Sequence, residues 1–245
     1  MSAVLEHGDV FFAYRPRVER PEARGLEDVQ RLFVILEPDN GERHRRLVIG
    51  RKRLPEAESR ERLWGFVDRV EESGEDLATD LRGETYRTRT RGWRHQPEAR
   101  PAGEGVYAIV HHGDHTHLAY ELELPHGPGR VQEELGIVPE ASYIIAVKNP
   151  EAPSPDMAPA SDGPELPSAL REHFGGRRFI PADPPELLDV EGFEFVLIGA
   201  AEDVGDELGI DLEPEQETTA SADILRSLMP TTRHPVAPLT EGMWQ

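Results

Sequence analysis

The sequence predicts an α+β fold: a mostly antiparallel sheet with several short helices, and a Pro-rich segment before an acidic C-terminal α/β part. Three observations carry this. Runs of β-branched and aromatic residues bounded by turn residues dominate the first 148 positions. Helical spacing occurs only in short stretches, without the regular strand–helix alternation that calls for a parallel sheet. The 22 glycines and 22 prolines among 245 residues divide the chain into short pieces without reaching low complexity.

Taken in order, Asp9 to Tyr14, Gln30 to Glu37 and Arg46 to Gly50 read as strands, and Asp39-Asn40-Gly41 joins the second and third as a hairpin. From Pro55 onward, the spacing of Leu63, Phe66, Val67 and Val70 predicts a helix with Pro55 in its first turn. Ser73 is placed to cap a second short helix reaching Leu81. Tyr86 to Arg91 and Val106 to Glu123 alternate like strands. Gly129 to Gly136 reads as a short helix ending in glycine, and Tyr143 to Lys148 as a buried strand. Asn149 to Pro167 holds six prolines in 19 residues, which deny both helix and ladder hydrogen bonds. Beyond it the pattern predicts a helix over 167–174, a strand over 193–199, a helix over 202–208 and a weak helix over 220–229. The expected organisation is a main domain over 1–148 and a linker or loop over 149–167. An acidic subdomain over 168–230, packed on the main domain or separate from it, and a tail over 231–245 follow. Trp244 favours docking of that tail on the body.

The absence of cysteine excludes disulfides, thiolate zinc sites, iron–sulfur clusters and cysteine nucleophiles. No apolar run approaches the roughly 20 residues of a membrane span, and the first residues lack a basic and apolar leader, so a cytoplasmic protein without membrane partners is expected. Its oligomeric state is not legible. The net charge of −20 is uneven: residues 151–245 carry −15, whereas residues 43–100 carry +4. Of the 27 cations, 25 are arginine, Lys52 and Lys148 being the exceptions.

Two constellations carry candidate chemistry. In the first, Arg87, Arg89 and Arg91 alternate with threonine after Tyr86 and would share one strand face, about 6.6 Å apart. Trp93 and Arg94 follow, and Arg51 and Arg53 on the earlier hairpin could join them. Guanidinium forks grip phosphate oxygens, and cation rows beside an aromatic suit nucleic acid or another polyanion. The competing reading is a solvated face neutralised by the protein's own acids.

In the second, His111-His112-Gly113-Asp114-His115-Thr116-His117 places Gly-Asp as a two-residue turn. In that register His112 faces His115, and His117 shares their side of the hairpin, so three imidazoles could hold zinc, iron or manganese. Glu121 or Asp114 could complete the set or act as a base. The run His115-x-His117-x-x-x-Glu121 resembles part of the first cupin motif. That resemblance implies a metal held by these three residues inside a jelly roll, although Ile109 and Pro128 stand where the family has glycine. A third feature, Asp183, Glu186, Asp189, Glu191 and Glu194, reads as a solvated acidic edge. Gly103-x-Gly105-x-x-Ala108 opens a strand, so it lacks the context of a dinucleotide fingerprint.

The sequence therefore favours a binding or regulatory protein whose Arg-rich strand face holds an anionic partner, whether nucleic acid, nucleotide or acidic protein segment. The alternative is a metal-dependent enzyme or metal-binding protein built on the histidine hairpin.

Overall fold

A computed structural model of the chain describes residues 2–41, 43–152 and 167–245. Among these residues eleven strands are present: β1 (Ser2–Pro16), β2 (Val29–Pro38), β3 (His44–Ile49), β4 (Arg62–Glu71), β5 (Glu84–Thr88), β6 (Gly92–Gln96), β7 (Arg100–His112), β8 (His115–Leu124), β9 (Glu140–Lys148), β10 (Phe179–Pro181) and β11 (Glu194–Ala201). The α-helices among the described residues are α1 (Gly74–Thr79), α2 (Arg130–Leu135), α3 (Ser168–Phe174), α4 (Val204–Leu208) and α5 (Ala237–Thr240), none of them longer than seven residues.

The expected α+β fold is corrected by the sheet topology. Eight strands close in the order β9-β11-β4-β3-β2-β1-β7-β8, with β8 returning to pair with β9, so the protein is an antiparallel barrel decorated by short helices. Closure removes the exposed sheet edges that an open sheet would have to protect. β11, from beyond the Pro-rich segment, is one of these staves and lies between β4 and β9. β10 adds to β9 past the point where β8 leaves it. Most of the Pro-rich segment lies outside the described residues.

Period-2 alternation divides the barrel's side chains. Val10, Phe12, Tyr14, Leu32, Val34 and Leu36 point inward, together with Tyr107, Ile109, Leu118, Tyr120 and Tyr143 from β7, β8 and β9. The ring centroids of Phe12 and Tyr120 are 4.9 Å apart, edge to face. Side chains thus fill the barrel, and each large one buried contributes about 1.5–3 kcal/mol. One mouth is plugged by the segment carrying Leu187 and Leu188. The other is closed by Val131 and Leu135 of α2, with Leu54 and Trp244. Trp244 packs on Tyr14 at 5.0 Å, so the tail docks on the body. Outside, α1, α5 and a π-type turn at Ile224–Leu228 cover Phe11, Phe33 and Ile35, while α4 covers Ala108, Val110 and Ala119.

The helix expected from Pro55 through Val70 is instead strand β4. Inward positions on β4 are Leu63, Gly65 and Val67, and a register shift opposite Arg46/Leu47 then inserts one residue and brings Val70 against the interior. Gly65 is required where the Phe195 ring occupies the space a Cβ would need. A silent glycine and a bulge leave Leu63, Val67 and Val70 at helical intervals on a strand. The short helices do form as read. The Ser73 hydroxyl accepts from Asp76 N–H at the start of α1, and Gly136, at φ 71°, ends α2. No helix among the described residues is long and apolar enough to cross a membrane.

Candidate functional site

The arginine strand is shorter than its alternation suggests. β5 ends at Thr88, and Arg89-Thr90-Arg91 form the turn into β6. The Thr88 hydroxyl accepts from Arg91 N–H at 3.0 Å and donates to Gly92 O at 3.2 Å, which closes that turn. The three arginines therefore do not form a single strand row. Arg87 lies on the strand, paired across the ladder with Trp93, and Arg89 and Arg91 lie at the tip.

β5 and β6 form a two-stranded sheet separate from the barrel. The hairpin is anchored at its base, where Gln96 Nε2 donates to Pro16 O and Glu19 N–H donates to His95 O. Cross-strand pairing puts Arg87 and Trp93 on one face, with Thr85 and His95. Trp93 is 68% exposed, and Tyr86 on the opposite face is also exposed. Among the described residues, the side chains of Arg87, Arg89 and Arg91 form no ion pair and no hydrogen bond. The other sequence-predicted cations differ. Arg94 lies 3.8 Å from Glu19, and Arg53 grips Glu61 through two hydrogen bonds of 2.8 and 2.6 Å. Arg51 is exposed and only 4.0 Å from the same carboxylate. The hairpin carries four arginines against one glutamate.

The histidine hairpin has the expected register. His112 pairs with His115 and His111 with Thr116, and Gly113, at φ +60°, takes the left-handed turn position. His112, His115, His117 and Glu121 share the outer face, because Leu118 and Tyr120 point into the barrel. That placement opposes the cupin-like reading, which needs the ligands inside. His117 is buried, 2% exposed, and burial lowers its pKa to about 4, with His112 and His115 adding to the fall. Its ring lies edge-on to His112 at 6.0 Å between centroids. The Nδ1 of His112 is 2.8 Å from the Ser2 hydroxyl. Glu121 faces Glu140 across the ladder, and burial followed by that neighbour raises its pKa. Among the described residues, no three His, Asp or Glu side chains gather as a metal-holding group. The chemistry visible here is a neutral, buried imidazole beside His112.

The acidic run is mostly drawn into structural contacts. Asp189 accepts from Arg45 Nε at 2.6 Å, Glu194 pairs with Lys148, and Glu191 accepts from Val70 N–H at 3.0 Å. Asp183 lies 2.9 Å from His111 Nδ1. Arg45, almost fully buried, also meets Glu6 at 2.5 Å, and Glu6 accepts from the Tyr107 hydroxyl at 2.7 Å. This network closes the polar end of the barrel interior. Burial works against the charge on Arg45, but the hydrogen bonds and charges of Glu6 and Asp189 outweigh it and raise its pKa.

Sequence reading missed a group of acids that the barrel brings together on its outer wall: Asp9, Glu37, Glu104 and Glu123. Burial, the largest cause in each case, pushes them to about 6, 7, 8 and 7. The available signal was their shared outward parity with buried neighbours, but it needed the barrel register to be read. Compared with known proteins, the chain matches no family model, no curated protein and no solved structure, so the geometry alone carries the functional reading.

Proposed function

We propose that this is a binding protein whose β5–β6 hairpin holds a single-stranded nucleic acid. The observation that carries the reading is the pairing of an exposed Trp93 with three arginines whose side chains have no partner among the described residues. An indole in water is a stacking platform for a base, and base stacking contributes about 1–3 kcal/mol. Arg87 beside it, with Arg89 and Arg91 at the tip, is placed to contact successive phosphates. A competing role as internal counter-ions is disfavoured, because among the described residues no acid engages these three side chains. The chain's net charge of −20 repels a polyanion at long range, but screening limits that repulsion to about 8 Å at physiological salt. A hairpin standing off the barrel as its own sheet is the geometry least affected by it.

Binding of a labelled oligothymidylate, read by anisotropy over a salt series, tests this. Three phosphate contacts predict a log–log salt slope of about −2. Changing Arg87, Arg89 and Arg91 together to glutamine should flatten that slope, and Trp93→Ala should weaken binding about 5- to 150-fold. Unaltered binding by both variants would refute the proposal.

A further inference from the structure

Residues 209–223, between α4 and the π-type turn, cross the outer wall of the barrel with no helix or strand of their own. Between Leu208 and Ala222 this strap buries two side chains, Leu212 and Glu217. Leu212 is an apolar anchor, packed with Ala108, Val110 and Ala119. The second anchor is a carboxyl. Glu217 is 7% exposed and lies over Glu104 of β7, which is 1% exposed.

Carboxyls of the wall also receive the strap's backbone. Glu123 accepts from Glu215 N–H at 2.5 Å, and Glu104 accepts from Ile224 N–H at 2.9 Å, just past the strap's end. The other Glu104 oxygen is buried, as is Oε2 of Glu217, and the hydrogen bond that satisfies both runs between the two carboxyls. Two carboxylates cannot make that bond, so one of the pair carries a proton. Burial keeps it on Glu104, whose pKa is pushed to about 8; the Ile224 N–H opposes the rise, and Glu217 and Asp223 add to it. The surrounding charges offer little relief. Asp9 of β1, Glu37 of β2 and Glu123 of β8 stand on the barrel side, and Glu215 and Asp223 on the strap side. Arg226 of the π-type turn is engaged by Asp223, and His7 and Asp39, which line the same cleft, pair with each other at 2.7 Å.

We propose that residues 209–223 are a proton-latched strap: the proton shared by Glu104 and Glu217 holds the segment against the barrel, and its loss in alkaline solution frees the segment and bares the wall at Val106 and Ala108. Deprotonation leaves two buried carboxylates in contact, which the protein relieves by returning one of them to water. Glu104 is fixed, because it pairs with Phe11 and Leu124 in the β1–β7–β8 ladders. Glu217 is free to leave, because its irregular segment has a single apolar anchor and opens locally at low cost.

Hydrogen exchange of the full chain, read by mass spectrometry from pH 6 to 9 and corrected for the intrinsic pH dependence of amide exchange, tests the latch. One proton released on opening allows up to about tenfold more opening per pH unit. Exchange over 210–218 should therefore rise at least about tenfold from pH 6 to 9, while β2 and β3 keep their protection. Glu104→Gln should remove most of that rise, since an amide donates to Glu217 without titrating. Glu217→Gln should do the same, by ending the repulsion from the strap side, and serves if Glu104→Gln does not fold. Glu213→Gln, at an exposed acid of the strap, should keep the wild-type response. Strap exchange that stays flat from pH 6 to 9, a rise that persists in both cleft variants, or β2 and β3 opening together with the strap would overturn the inference. Equal flattening by Glu213→Gln would reduce the effect to general repulsion among acids and overturn it as well.

Discussion

Replacing Glu104 with glutamine should make the protein more stable at pH 8 and leave it nearly unchanged at pH 5. One oxygen of Glu104 accepts from Ile224 N–H at 2.9 Å. Burial pushes the carboxyl from 4.5 to about 8 against that hydrogen bond, and Glu217 and Asp223 add to the rise. Between those two values the folded chain holds a proton that the unfolded chain has released. The stabilising effect is complete below about 4.5 and is lost as pH rises through about 8, at about 1.4 kcal/mol per unit. Taken over the whole interval this is at most about 5 kcal/mol. Local relaxation and proton sharing with Glu217 reduce it, so about 2 kcal/mol is expected. Glutamine keeps an acceptor for Ile224 N–H and keeps a donor towards Glu217 after the carboxyl proton of the wild type would be lost. For a chain of this length the gain corresponds to a Tm increase of about 4–8 °C at pH 8. Calorimetric melts of both proteins at pH 5, 6, 7 and 8 would measure it. A Tm difference that does not grow with pH, or a variant less stable throughout, would show that Glu104 is not a buried protonated acid.

Three further perturbations follow from the packing. Gly65→Val should destabilise by at least about 1–3 kcal/mol in chemical denaturation, because its side chain would collide with the Phe195 ring; an unchanged midpoint would mean that ring can move aside. Arg45→Ala should cost about 3–5 kcal/mol by leaving Glu6 and Asp189 unmatched near the barrel end, and a loss below 1 kcal/mol would mean water already reaches them. His117 has its pKa lowered, so its stabilising effect is complete above about 6.5 and is lost as pH falls through about 4. His117→Gln should therefore close the stability gap to the wild type progressively over that window, and parallel melting curves from pH 7 to 4 would show that the imidazole does not titrate there.

How far the fold could be read depended on whether each local pattern had a single structural cause. Gly113-Asp114 between alternating runs admits one hairpin register, so the pairing of His112 with His115 was legible. The β4 pattern had two causes, a glycine making room for Phe195 and a one-residue bulge, and together they imitate the period of a helix. The Arg-Thr alternation had a different ambiguity: it continues unbroken from β5 into the turn, where side chains no longer alternate between faces. Barrel closure was less accessible still. It depends on β11 pairing with β4 across more than a hundred residues and on β8 meeting β9, and neither contact leaves a local trace. A groove on the outer wall, floored by Val106, Ala108 and Leu212 and rimmed by acids, inherits that dependence. Asp9, Glu123 and Glu217 stand on three distant segments and read separately as solvated charges. Only closure places them around one apolar floor, where repulsion and burial alter their protonation. The −15 carried beyond residue 150 is therefore not a uniform acidic coat. Part is neutralised by Arg45 and Lys148 at the barrel end, and part lines a groove on the outer wall, where buried carboxyls hold protons instead.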